Sequence, residues 1–315
     1  MGVVIGMDEA GYGPNLGPLV VTVTAWEVPD PPGKIDFWQA LDAVVGQSPS
    51  RDGSKLHIAD SKQVYSPSRG LGPLERSVLS VLTLTGPPPE NFGDLLCRLT
   101  MASNPTADAG PWFAGTDLSL PHDVSSRTSS DRTDRLRNCC AENGIRLRSV
   151  RSDVVFPQRF NRLVREYDSK GLALSRISLA LLRQVWDPDA EGATSIVADK
   201  HGGRNRYDQL LAEVVGDHMV LRRQEGRELS CYRVGNSEIR FQTRAESQFP
   251  VAVASMVSKY VRELAMALFN RFWQNHVADL KPTKGYPVDA RRFRQEIAAA
   301  QQRLDIDDDV LWRVR

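Results

Sequence analysis

The chain predicts an α/β fold. Short apolar runs of strand length alternate with stretches of helical periodicity along the whole sequence. Two of those runs, Val3-Val4-Ile5 and Thr194 to Ala198, lead straight into carboxylates, Asp8-Glu9 and Asp199. Ligands in open α/β sheets gather at strand ends, so these acids mark the functional side of the sheet.

At 315 residues the chain has room for one large domain with insertions, or for two domains. A 41% hydrophobic and 25% charged composition is that of a soluble globular protein. No apolar run reaches membrane-spanning length, and the N-terminus carries no secretory pattern, so no membrane partner is expected. Cys97, Cys139, Cys140 and Cys231 lack zinc-finger spacing and include a vicinal pair, which points to a reducing, cytoplasmic setting. A net charge of +1 excludes a global basic footprint. Any nucleic-acid site must be a local groove of Lys and Arg.

In order, the first strand meets a turn rich in Gly and Pro and returns as a second strand, Leu19 to Trp26. Phe37 to Val45 reads as a short helix. Leu56 to Lys62 alternates and ends in Asp60-Ser61-Lys62, and Leu71 to Leu84 is helical. Residues 87–144 are the least regular part, with a short helix at Phe92 to Leu99 and another at Asp131 to Glu142. The stretch 104–134 is long for a plain loop. It reads equally as a lid, ordered by Trp112, Phe113 and Leu120, or as a surface excursion. Ile145 to Phe156 is a strand. Phe160 to Val185 is helical with a break at Gly171, and Tyr207 to Val215 is a helix. Met219 to Arg222 and Glu238 to Thr243 are further strands. Pro250 to Val277 is a long helix, and Val288 to Leu304 a basic amphipathic one.

Asp8 and Glu9 are the centre of the functional reading. Carboxylates are seldom buried unless paired or metal-bound. Neighbours on a regular strand face opposite ways, so both can serve one site only if the strand bends or ends there. Gly11 and Gly13 supply the freedom for that. Asp199 follows another core strand. Glu263 lies on the long helix, sharing a face with Lys259 four residues before it. Converging acids of this kind suit two divalent cations about 4 Å apart, as in phosphoryl-transfer nucleases. Glu246, just ahead of the long helix, reads first as a helix-start carboxylate and second as a rival acid standing behind the metal ligands.

Several segments together carry a family resemblance. Asp8-Glu9-Ala10-Gly11-Tyr12-Gly13-Pro14 with Gly17-Pro18-Leu19-Val20-Val21 resembles the opening motif of type 2 ribonucleases H, the HII and HIII enzymes. Asp60-Ser61-Lys62, Ile196-Val197-Ala198-Asp199, Ala254-Ser255 through Arg262-Glu263, and Lys284-Gly285-Tyr286-Pro287 resemble later elements in the same order. Two positions differ from the HII pattern: Tyr12 stands where those enzymes carry Arg, and Glu263 where they carry Asp.

The resemblance implies a ribonuclease H-like mixed five-stranded sheet flanked by helices. Residues 1–86 and 145–280 would form the catalytic domain, 87–144 an insertion or lid, and 281–315 a C-terminal substrate-contacting helical segment. It implies Mg²⁺- or Mn²⁺-dependent hydrolysis of the RNA strand of RNA–DNA hybrids. The sequence does not set the oligomeric state; a monomer is the expectation. Asp8, Glu9, Asp199 and Glu263 would be the metal-binding catalytic acids. Lys62 would touch phosphate, Tyr286 would stack on nucleic acid, and the Gly11-Tyr12-Gly13 backbone would face the minor groove and its 2′-hydroxyl. Arg204, after Gly202-Gly203, either clamps phosphate or faces solvent. His201 is a proton shuttle or an exposed side chain. Lys259 either neutralises Glu263 or reaches nucleic acid. A hybrid-binding protein with weak or lost catalysis, and a DNA-cutting two-metal nuclease, are the competing readings.

Overall fold

The computed structural model describes residues 1–66, 68–102, 105–106, 108–114, 117–123 and 130–314. Parts of the expected insertion, at 103–104, 107, 115–116 and 124–129, therefore lie outside the described residues.

Strand β1 (Gly2–Ala10) pairs antiparallel with β2 (Leu19–Val28). Helix α1 (Phe37–Ala40) is one turn, capped by Asp36. It is shorter than predicted because Val45 leaves it to form β3 (Val45–Gly46), parallel to β4 (Leu56–His57). The Asp60-Ser61-Lys62 motif opens α2 (Ser61–Val64), with the Asp60 carboxylate accepting from the Lys62 backbone N–H. Then come α3 (Gly72–Leu82), α4 (Phe92–Leu99), α5 (Ser130–Glu142) and β5 (Arg146–Val155). The helical stretch after β5 breaks at Asp168, which is left-handed at φ 46°, and not at Gly171. Helix α6 (Pro157–Tyr167) ends there, and Ser169 caps α7 (Lys170–Arg183) by accepting from the Leu172 N–H. β6 (Thr194–Asp199) and α8 (Asp208–Val215) follow as expected. β7 (Leu221–Gln224), β8 (Leu229–Val234) and β9 (Ser237–Gln242) come next, then α9 (Phe249–His276), α10 (Pro287–Arg303) and the single turn α11 (Asp308–Leu311).

The main sheet has the order β5-β2-β1-β6-β9-β8-β7. Among its first five strands only β2 runs against the others. That is the ribonuclease H-like arrangement. The sheet is seven-stranded where five strands were expected, because β8 and β7 continue it antiparallel beyond β9. β8 turns into β9 through the two residues Gly235-Asn236, a hairpin signal present in the sequence.

Side-chain alternation along the strands splits the core. Val4, Val20 and Trp26 face α3, α4, α5 and the first half of α9. Ile5, Met7, Val21 and Val23 face α7 and α8. The far half of α9 packs on α10 and α11. The described parts of 87–144 join these clusters: Phe92, Leu96 and Leu136 lie in the first, and the Trp112 ring sits 4.9 Å from that of Phe269. None of the described helices is long and apolar enough to cross a membrane.

The contact that locates the site is between α9 and β1. A Cβ on Gly6 would stand 2.2 Å from the Pro250 carbonyl carbon, so the helix start rests on bare backbone. Thr24 on β2 donates from its hydroxyl to the Pro250 carbonyl at 2.9 Å. Replacing Gly6 with Ala pushes the helix off the sheet. We expect a loss of about 1–3 kcal/mol, read as a lower urea midpoint at unchanged m-value.

Candidate metal and nucleic-acid site

Strand register builds the site. β1 pairs with β6 only as far as Met7 opposite Ala198, but with β2 as far as Ala10 opposite Val20. The strand therefore neither bends away nor ends at the acid pair. Instead its β6 side is bared from Asp8 onward, just where β6 finishes at Asp199. Asp8, Glu9 and Asp199 all line one cavity of about 210 Å³ there, as expected of them.

The fourth acid of that cavity is Glu246, and Glu263 does not line it. Glu246 stands in a 3-10 turn, Ala245–Ser247, ahead of α9 and makes no cap bond; Gln248 is the N-cap residue. Glu263 is eight residues up α9 from Ser255, roughly 12 Å of helix rise, and Ser255 is the residue that hydrogen-bonds Asp8. The Glu263 carboxylate is instead held by Lys259 at 2.8 Å and Lys284 at 2.7 Å, with Arg262 at 3.8 Å. Lys284 also donates to the Tyr65 hydroxyl at 2.6 Å. Of the two readings for Lys259, neutralising Glu263 is the one observed.

The two acid environments have opposite electrostatics. Burial pushes the Asp8 carboxyl well above the usual range, and Glu9, Glu246 and Asp199 add to it. Burial, then Asp199 and Glu246, lift Glu9 to about 7. Asp199 and Glu246 are raised as well, chiefly by burial. Burial alone would lower Lys62, but Asp60, Glu246, Asp8 and Asp199 outweigh it and hold the ammonium charged. For Glu263, burial is overcome by Lys259 and Lys284, which bring it down to about 2.

The remaining expected residues divide. Gly11, Tyr12, Gly13, Lys62 and Tyr286 line the acid cavity. Gly11 is left-handed at φ 91°, and a Cβ there would meet Arg262 Nε and the Pro18 carbonyl, each at 2.6 Å. Nothing lies within 4 Å of a Cβ on Gly13, so that backbone faces open space. Tyr12 is pinned from behind by the Lys170 ammonium, 4.7 Å from its ring centre. Tyr286 is 53% exposed. Arg204 lines neither this cavity nor the one beside it. His201 is not exposed: it is buried against Tyr207 and Phe241, and burial lowers it to about 3.

Sequence reasoning missed Arg313. It is buried, and its guanidinium donates to the carbonyls of Gly11 and Pro14. Its backbone N–H donates to the Asn15 carbonyl at 2.8 Å, and the Asn15 amide returns a bond to the Arg313 carbonyl at 3.2 Å. No local pattern marks an Arg so far from its partners. No described residue of 87–144 lines the acid cavity.

Hard divalent cations fit this donor set. Its acids are all carboxylates, with no imidazole or thiolate among the lining residues. The like charges that raise Asp8 and Glu9 are those a cation would relieve. Among the described residues, no three His, Cys, Asp or Glu side chains stand close enough to form a ready-made cage.

Fold and site together define a ribonuclease H-like chain with an acid cavity at the end of its central strands. Over nearly its whole length it is similar to ribonucleases H of the HII and HIII kinds. It matches ribonuclease H2 from Pyrococcus horikoshii OT3 at 12% identity and TM-score 0.43, covering 98% of this chain and 92% of that one. For the ribonuclease HII of the PCNA complex from Archaeoglobus fulgidus the values are 14%, 0.43, 99% and 94%. For Bst-RNase HIII in complex with Mn²⁺ they are 14%, 0.39, 99% and 66%. Likeness this loose adds nothing about chemistry. No protein-family model and no curated protein sequence matches the chain.

Two outcomes follow from the electrostatics. A carboxyl raised from 4.5 to about 7 stabilises the fold below pH 4.5, and the contribution is lost as pH rises through 7. Without divalent cations, thermal melts should show the protein less stable at pH 8 than at pH 5. Glu9→Gln should remove part of that slope, on the order of 2–3 kcal/mol. Glu263→Gln should instead unfold at lower urea, by about 1–3 kcal/mol, because it leaves the partly buried Lys259 and the buried Arg262 without their carboxylate.

Proposed function

We propose that the chain is a metal-dependent endoribonuclease that cuts the RNA strand of RNA–DNA hybrids. The observation that carries this is the meeting of Asp8, Glu9, Asp199 and Glu246 around one cavity, with Lys62 at its side. These four would hold Mg²⁺ or Mn²⁺, which when bound supplies an activated water and charge stabilisation for the leaving oxygen. The chain's own residues do the rest. Ser255 holds the Asp8 carboxylate by a hydrogen bond. Lys62, charged and shared between the acid cavity and its neighbour, meets the phosphate to be cut. The open backbone at Gly13 lets a minor groove come close enough for its 2′-hydroxyl to be read. The exposed ring of Tyr286 stacks on a base or sugar at the cavity rim. Glu263 contributes by fixing Lys259 and Lys284, not by ligating metal.

The protein is taken to act as a monomer in the cytoplasm. A hybrid-binding protein without catalysis is the second reading, favoured by carboxylates that surround the cavity instead of closing into a cage.

One assay decides: a labelled RNA–DNA hybrid, an all-DNA duplex and a duplex with one ribonucleotide, each with Mg²⁺ or Mn²⁺. We expect cutting of the hybrid and not of DNA. Asp8→Asn, Asp199→Asn and Glu246→Gln should each lose at least 100-fold in kcat while melting no lower than wild type, since each relieves like-charge repulsion. Mg²⁺ or Mn²⁺ should raise the wild-type melting temperature at pH 8 and leave Asp8→Asn unmoved. Tight hybrid binding without cutting would favour the second reading, and cutting of DNA alone would refute both.

A further inference from the structure

The two strands beyond the five-stranded core raise the question of what they are for. One face of β8 and β9 is covered: Tyr232, Val234, Ile239 and Phe241 pack with Tyr207 and α8. The other face belongs to no buried cluster. Alternation places Cys231 and Arg233 of β8 and Glu238, Arg240 and Gln242 of β9 on it. This is the side of the sheet that carries the acid cavity. Val197 on β6 packs with Val251 of α9, so Asp199, two residues on, shares that side. Register links the two: Asp199 is opposite Gln242, and Val197 opposite Arg240, which is in turn opposite Cys231.

The charge of this open face is basic. Arg240 reaches across to the Ser195 hydroxyl at 3.3 Å and leans on Glu238 at 3.5 Å. Arg233 is exposed and meets no carboxylate among the described residues; its Nε donates to the Gly235 carbonyl. Arg223 is exposed at the register shift in β7. Cys231 lies between Arg240 and Arg223: it is opposite Arg240 on β9, and opposite Gln224, the neighbour of Arg223, on β7. Burial and then Glu238 raise its thiol, and Arg240 and Arg223 act against both. A second cavity of about 550 Å³, lined by Arg244 and by Asp60 and Gln63, shares Lys62, Asp199 and Glu246 with the first. Thr243, beside Arg244, is tied to the β7–β8 turn by its N–H donating to the Glu228 carbonyl at 2.9 Å.

We propose that the open face of β7–β9 is a phosphate-backbone track, on which Arg223, Arg233 and Arg240 hold the duplex arm that leaves the acid cavity past Arg244. This rests on the nucleic-acid function proposed above. Register also puts Leu221 on this face, opposite Arg233, but its charge is carried by guanidinium groups, which fit a polyanion. Strand spacing and rise put Arg223 and Arg233 roughly 16 Å from Asp199. That is about five base pairs at 3.4 Å each, so only a duplex extending well past the cut can touch them.

The test is a salt titration of hybrid binding by fluorescence anisotropy, without divalent cation. It uses the full chain and a variant carrying R223A, R233A and R240A, with its fold checked by circular dichroism. One hybrid is about 18 base pairs; the other has about 4, closed by a hairpin, and so ends short of the track at 3.4 Å per pair. Each lost phosphate contact should lower the slope of log K against log salt by about 0.9. We expect the long-hybrid slope to fall by about 2 to 3, with affinity down at least tenfold at moderate salt, and the short-hybrid slope to stay. Equal slopes for variant and wild type on the long hybrid overturn the track while leaving the nuclease reading intact. So does self-association of the variant at equal slopes, since the arginines would then serve to keep an edge strand from pairing. A wild-type chain that binds no hybrid of either length overturns both.

Discussion

The whole site depends on one close approach, the start of α9 against the side-chain-free backbone of β1 at Gly6. With the helix seated there, Ser258 donates to the Asp8 carbonyl at 3.2 Å and to the Thr22 hydroxyl at 2.7 Å. Ser255 comes over the Asp8 carboxylate and bonds the Ser61 hydroxyl at 3.2 Å, which joins α2 and its Lys62 to the same point. The turn that precedes the helix then has one place to go, and it carries Glu246 to the cavity. A helix held even one side chain further away would break each of these links at once.

The same helix serves two carboxylates in opposite ways. Glu246, at its approach, joins three other acids and is pushed toward neutrality. Glu263, deep along it, is surrounded by cations and pulled strongly acidic. A group already satisfied by two ammonium ions has little to offer a divalent metal, whereas a cluster of repelling carboxylates gains from one. Environment, more than residue type, separates the acid proposed to bind from the acid that braces.

Much of this architecture could be read from the residues. Val3 to Ile5 and Thr194 to Ala198 show as core strands because both their faces are buried, and α4 shows by its caps and periodicity. Asp199 could be found because its strand ends on it, and Asp8 and Glu9 because two adjacent carboxylates follow an apolar run. Telling Glu246 from Glu263 was beyond the sequence. Both flank or lie on α9, and only the helix's seating on β1 decides which of them reaches the sheet end. The break at Asp168 was misread because Gly171 is the more obvious interrupter, yet Ser169 caps a helix in which Gly171 is simply the second residue. β8 was overlooked because its alternation mixes Cys, Arg and Tyr with few β-branched residues, although Gly235-Asn236 marks its hairpin.

Arg313 has a consequence for synthesis. The glycine loop that frames the acids is made within the first few residues, but the guanidinium that bridges its carbonyls lies 302 positions later. Contacts of such separation form late, after intervening elements have condensed. A partly translated chain therefore displays its carboxylates on an unbraced loop until Arg313 has emerged to bridge it.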